Sequence, residues 1–151
     1  MKIVSGNLVS LALRGNFDII LHCANCFNTM GKGIALEIKH VFTEAYAADC
    51  RTVKGDYGKL GDCSYARVEV INNKSLIVIN GYMQYNYGKG LHLDYQAVQK
   101  VLVSINTYFK GARIGLPKIG CYNAGGDWTI VEKLISDTLV DLDVTVVVLE
   151  K

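Results

Sequence analysis

The residues best suited to chemistry in this 151-residue chain are gathered in one stretch, Ile19 to Val41. It begins with a continuous apolar run, Ile19-Ile20-Leu21, and then presents His22, Cys23, Asn25, Cys26 and Asn28. Polar groups at the end of a buried strand are where an open α/β sheet keeps its ligand chemistry, and a histidine near neutrality can share proton transfer there. Gly31-Lys32-Gly33 follows and opens a helix whose apolar positions Ile34, Ala35, Ile38, Val41 and Phe42 recur at the spacing of one helical face. A glycine turn feeding a helix N-terminus presents unpaired N–H groups and the positive end of the helix dipole. That makes an anion site, most often a phosphate site.

Plainer readings stand beside these. His22 equally fits a core histidine bonded to backbone, while His40 and His92 belong to no constellation and read as surface residues. Cys23 and Cys26 beside His22 suggest a metal, but structural zinc needs four ligands and the sequence offers no second Cys or His pair, so no metal is assigned. A redox role is equally weak, because the pair straddles a strand end and does not open a helix. Two familiar phosphate motifs fail: Leu36 stands where a dinucleotide fingerprint needs its third glycine, and Gly33 follows Lys32 where a nucleotide-triphosphate loop needs Ser or Thr.

The elements that must hold this stretch follow from the rest of the chain. Half the residues are hydrophobic and 20% are charged, a composition for a compact core, and the length suits a single domain over residues 1–151. No apolar run approaches the roughly 20 residues of a membrane span, and the start Met1-Lys2-Ile3-Val4 lacks the apolar region of a signal peptide. Five cysteines without small-scaffold spacing suit reduced thiols, so a cytoplasmic location is expected. A net charge of +2 without a basic cluster argues against nucleic acid as a partner. The chain is expected to act as a monomer.

Ile3-Val4 reads as a first strand, Leu8 to Arg14 as a short helical or irregular link, and the helix opened by Gly33 as continuing to about Arg51. Tyr65 to Ile71 and Leu76 to Ile79 form a hairpin around Asn72-Asn73-Lys74. Asn80 to Leu93 is a tyrosine- and glycine-rich loop, whose Tyr82, Tyr85 and Tyr87 fit packing over the sheet edge or stacking on adenine or RNA bases, packing being the commoner use of loop tyrosines. Asp94 caps a helix running to Gly111. Arg113 to Leu116 is a strand, Pro117 to Gly126 a second glycine loop, Trp128 to Val140 a helix and Val144 to Leu149 the last strand. Alternation of this kind predicts a three-layer α/β/α sandwich with a mixed sheet of about six strands, and a crevice at its carboxyl end rimmed by the loops at 25–33, 80–93 and 117–126.

Four motifs stand in order along essentially the whole chain: Gly6-Asn7-Leu8, His22-Cys23-Ala24-Asn25, Met30-Gly31-Lys32-Gly33-Ile34-Ala35, and Leu116-Pro117-Lys118-Ile119-Gly120-Cys121 with Ala124-Gly125-Gly126-Asp127-Trp128. Together they resemble the macro domain, an ADP-ribose-binding module. His22 in place of the commoner asparagine resembles the branch that holds ADP-ribose-1″-phosphate phosphatases and ADP-ribosyl-glutamate hydrolases. The resemblance implies ADP-ribose or ADP-ribose-1″-phosphate as ligand, no cofactor, and phosphatase activity on the 1″-phosphate. Removal of ADP-ribose from proteins or nucleic acid, or a non-catalytic reader, are its alternatives.

Residue by residue, it implies that Met30, Gly31, Lys32, Gly33 and Ile34 hold one side of the diphosphate. Ile119, Gly120, Cys121, Tyr122, Asn123 and Ala124 wrap the other side and the distal ribose. Gly6, Asn7 and Leu8 lie at the adenine, Asn7 standing where many members carry an Asp. Asn25 orients the distal ribose, and His22 and Asp127 are the candidates for proton transfer, Asp127 equally serving as the N-cap of the helix at Trp128. The glutamate hydrolases' catalytic Asp is replaced by Ala124, and their essential lysine has no clear counterpart, Lys89 being the nearest basic residue.

Overall fold

The computed structural model describes residues 1–121 and 124–149. Its centre is a six-stranded mixed sheet in the order β1-β6-β5-β2-β4-β3. The strands are β1 (Lys2–Ser5), β2 (Ile19–Ala24), β3 (Cys63–Glu69), β4 (Ser75–Tyr82), β5 (Arg113–Leu116) and β6 (Asp143–Val148). All neighbours are parallel except β3 and β4, which form the expected hairpin. Strand β2 therefore lies between β5 and β4, and the three loops that follow these strands share one end of the sheet.

Five helices cover the two faces: α1 (Leu8–Leu13), α2 (Gly33–Val41), α3 (Thr43–Cys50), α4 (Tyr95–Tyr108) and α5 (Trp128–Thr138). Ile19 and Leu21 of β2 pack with Val98, Val101 and Ile135 of α4 and α5. Ile20 faces the other way, into Leu8, Ile38 and Ala45 of α1, α2 and α3. The period-two alternation of a strand thus feeds two cores from one segment. No helix among the described residues is long and apolar enough to cross a membrane.

Several boundaries differ from the sequence expectation, three of them around the site. The helix opened by Gly33 does not run to Arg51: Phe42 leaves helical space (φ −111°, ψ 73°), buries its ring, and separates α2 from α3. The amide of Phe42 closes α2 on Ile38 O at 2.7 Å, and its carbonyl accepts from Ala45 at the start of α3. Strand β4 extends through Asn80, Gly81 and Tyr82, which composition assigned to the loop; register opposite His22, Cys23 and Ala24 overrides their weak strand propensity. Strand β3 begins two residues earlier than Tyr65, and the turn falls at Asn72 and Asn73, both at positive φ.

Candidate functional site

A crevice of about 1130 Å³ opens at the carboxyl end of β2, β4 and β5. One wall is the turn Met30 to Ala35 with the N-terminus of α2, and the other is Pro117 to Gly120 with Ala124 and Gly125. Helix α2 has no side-chain cap and no acidic residue in its first turn, so its leading amides and dipole are left for a ligand. Lys32, Lys89 and Lys118 line the crevice, and no carboxylate or histidine is among its described lining residues. Three cations and a bare helix N-terminus suit a ligand carrying several negative charges.

The turn is held in a strained shape. Asn28 (φ 58°) and Met30 (φ 41°) are non-glycine residues in left-handed space, each costing about 1–3 kcal/mol. Burial of the Met30 side chain and the bonds of Asn28 offset this: its amide donates to Thr52 O at 3.1 Å and its Oδ1 accepts from Lys59 Nζ at 2.8 Å. Gly33 (φ 57°) enters α2 in the same region, where a Cβ is disfavoured. Across the crevice Gly120 (φ 66°) abuts Leu93, which a Cβ would meet.

Most of the predicted residues meet here. Gly6, Leu8, Asn25, Met30, Gly31, Lys32, Gly33, Ile34, Ile119, Gly120 and Ala124 all line the crevice. Asn25 is fixed by two bonds: Nδ2 donates to Thr29 Oγ1 at 2.7 Å and Oδ1 accepts from Phe27 N at 2.8 Å. One amide hydrogen and one lone pair remain for a ligand hydroxyl. Asn7 does not line it; its Oδ1 caps α1 through Ser10 N at 2.8 Å and its Nδ2 donates to Glu37 Oε1 at 3.1 Å. Cys121 also stands back from the cavity, its thiol donating to Ile119 O at 3.2 Å. Tyr122 and Asn123 lie outside the described residues.

The two candidates for proton transfer are elsewhere. Asp127 is exposed and caps α5, accepting from Thr129 N at 2.9 Å. Of its two readings, the geometry displays the cap. His22 is fully buried on the α3 face of β2, off the crevice, with Nε2 donating to Asn80 Oδ1 at 2.6 Å and Nδ1 unpartnered. Burial lowers its pKa, so the imidazole is held neutral, with the Asn80 bond opposing the shift. The physical reason for its position is alternation: His22 shares a face with Ile20, and Cys23 points the other way and lines the crevice.

His22 instead starts a buried chain of donors that sequence reading did not find. Asn80 Nδ2 donates to Ser64 Oγ at 3.0 Å, Ser64 lies 2.7 Å from Tyr82 OH, and Tyr82 OH donates to Asp49 Oδ1 at 2.6 Å. Burial pushes the Asp49 carboxyl up, opposed by Tyr82 and by the charge of Lys59. Lys59, itself buried, also donates to Thr52 Oγ1 at 2.8 Å and sits 5.0 Å over the Tyr82 ring. Lys59 stands in a glycine-punctuated loop whose sequence carries no burial signal.

Gln84 is a second residue the sequence reading passed over. It lines the crevice, its Oε1 accepts from the Cys23 thiol at 3.2 Å and its Nε2 donates to Asn86 O at 2.7 Å. Its signal was available, since it lies just past β4 as Asn25 lies just past β2. Desolvation raises the Cys23 pKa to about 12, so this thiol is not a nucleophile at neutral pH.

No family model matches the chain. A 17.5 kDa protein of Enterobacteria phage T4 is 28% identical over 97% of this chain and 95% of its own length. The DNA ADP-ribosyl glycohydrolase of Mycobacterium tuberculosis is 26% identical over 89% of this chain, which spans 39% of that protein. Among solved structures, the macrodomain of Thermus aquaticus DarG superposes with a TM-score of 0.70 at 22% identity, covering 99% of this chain and 97% of that one. Thermosipho africanus DarTG in complex with ADP-ribose superposes with a TM-score of 0.74 at 17% identity, covering 99% of this chain and 42% of that one.

Proposed function

We propose that this chain, which has the macro domain fold, binds ADP-ribose along the crevice and hydrolyses the bond at C1″ of the distal ribose, freeing ADP-ribose from a nucleic-acid strand. Residues 1–151 act as one such unit. The observation that carries the reading is the uncapped α2 N-terminus facing the Pro117 to Gly120 wall across a crevice that holds three lysines. The diphosphate sits on the amides of Gly31 to Ile34, and Leu8, Val147 and Leu149 supply an apolar end for the adenine. Because Asn7 is committed to its cap and to Glu37, adenine is held there by packing.

Asn25 presents its free amide hydrogen to a distal ribose hydroxyl. Water adds at C1″, the bond to the departing base breaks with its electron pair going to that base, and a proton from the water ends on it. Lys89, on the loop that carries Gln84, stabilises the charge that develops on the leaving group. Support for a nucleic-acid substrate comes from the glycohydrolase relative, similar over 89% of this chain.

The second reading is phosphatase action on ADP-ribose-1″-phosphate. It is favoured by the count of lysines, whose third charge has no partner in a diphosphate. It loses His22 as proton donor, because that ring lies off the crevice. Incubation with ADP-ribose-1″-phosphate, an ADP-ribosylated single-stranded oligonucleotide and an ADP-ribosylated glutamate protein, following ADP-ribose and phosphate, separates the readings. ADP-ribose released from the oligonucleotide is the expected result; phosphate release alone establishes the second reading.

A further inference from the structure

An aromatic ladder leaves the mouth of the crevice. Tyr87, 55% exposed, lines the crevice wall and meets Phe27 edge-on at 6.0 Å. Phe27 meets Tyr85 at 5.0 Å, and Tyr85 meets Tyr57, 65% exposed, at 4.9 Å. The ladder is rigid: Tyr85 OH donates to Gly55 O at 2.8 Å, and its carbonyl accepts from Cys26 N at 2.9 Å. It ends in a second depression of about 360 Å³, where Tyr57, Tyr85 and Leu91 supply apolar surface and Asn86, His92 and Asp94 supply polar edges. That volume is at the lower end for a small-molecule site and suits one ring system.

We infer that this ladder and depression form a subsite for a base of a short single strand whose neighbouring nucleotide carries the ADP-ribose in the crevice. The inference rests on the proposed nucleic-acid substrate and says where the strand goes. Three features favour a nucleobase over a peptide. Exposed ring faces accept any base by stacking, the rim atoms Asn86 Nδ2, His92 Nδ1 and Asp94 Oδ2 can bond to a base edge, and Phe27 lies two residues beyond Asn25, joining the ladder to the distal-ribose end. Those rim atoms lie beyond the bonds that Asn86 Oδ1, His92 Nε2 and Asp94 Oδ1 make to Tyr87 N, Lys89 O and Ala97 N. The near-neutral charge, which argues against nucleic acid held through its phosphate backbone, leaves stacking as the source of the strand's affinity.

The test uses the whole protein with a fluorescein-labelled single-stranded hexanucleotide, read by anisotropy, and with that oligonucleotide carrying ADP-ribose, read by its KM. Tyr57→Ala is expected to weaken both by about tenfold, and Tyr57→Phe, which keeps the ring, to restore them. The affinity for free ADP-ribose and the KM for an ADP-ribosylated mononucleoside stay at wild-type values. Hexanucleotide binding that is absent or indifferent to Tyr57, or equal loss on an ADP-ribosylated peptide, overturns the subsite. Failure to bind ADP-ribose overturns the proposed function instead, and anisotropy on the bare strand still decides the ladder.

Discussion

Strand β2 serves two polar regions that behave in opposite ways. On the α3 side, His22, Asn80, Ser64, Tyr82, Asp49 and Lys59 sit in a layer, buried apart from the half-buried Ser64, where nearly every polar atom has a protein partner. Only His22 Nδ1 and Asp49 Oδ2 are left without one among the described residues. At the carboxyl end, the crevice offers uncapped backbone amides and three lysines. A polar group already satisfied inside the protein contributes to the fold; one left facing a cavity is available to a ligand. The two regions touch at Asn28, which Lys59 grips from the buried side while the turn it belongs to lines the open side.

Removing Lys59 should have the largest effect. Lys59→Met leaves Asn28 Oδ1 short of a donor and Asp49 without its compensating charge, and is expected to cost about 3 kcal/mol, a fall in Tm of about 9 °C. An unchanged melting curve would mean that the buried layer does not support the turn.

His22→Ala strands Asn80 Oδ1 and opens a cavity, for a loss of about 2 kcal/mol in denaturant unfolding. ADP-ribose affinity and turnover should stay close to wild type; turnover abolished in a folded variant would return His22 to the chemistry and break the division drawn above. Gly33→Ala acts on the other region. Its φ of 57° disfavours a Cβ, so the turn shifts and ADP-ribose affinity measured by calorimetry should fall about tenfold, with a far smaller change in Tm.

The buried layer should also show in the pH dependence of stability. His22 has a folded pKa below its ordinary 6.5, so as pH drops beneath that value the unfolded chain takes up a proton that the folded chain refuses. Stability therefore falls as pH falls below 6.5, and His22→Gln should flatten that slope in Tm measurements between about pH 5 and 7. The smallest effect on ADP-ribose binding belongs to Lys89→Ala, an exposed cation on the crevice rim: about threefold weaker affinity at low salt, vanishing near 1 M, while turnover on the oligonucleotide falls further because the leaving group loses its cation.

Much of this site was legible in the sequence because local chemistry dictates it. The Gly31-Lys32-Gly33 turn before an apolar helical face marked an open helix N-terminus, and the crevice forms there. The alternation of strands and helices pointed to the layered sandwich, whereas the seat of β2 between β4 and β5 is set by tertiary pairing. His22 and Asp127 were legible as polar residues in the right segments, but their directions were not. Which face of β2 carries His22 depends on the register with β4, and whether Asp127 points to a ligand or to its own helix depends on how the chain enters α5.

What the sequence determined by itself, then, was the order of elements, the layered sandwich and the glycine turn that opens α2, since periodicity, glycine placement and helix polarity are properties of neighbours along the chain. Tertiary structure alone decided which polar residues are spent inside and which remain free. Lys59 finds Asn28 across 31 positions and His22 finds Asn80 across 58. Partners that far apart in the chain are selected by packing, and packing has no local signature.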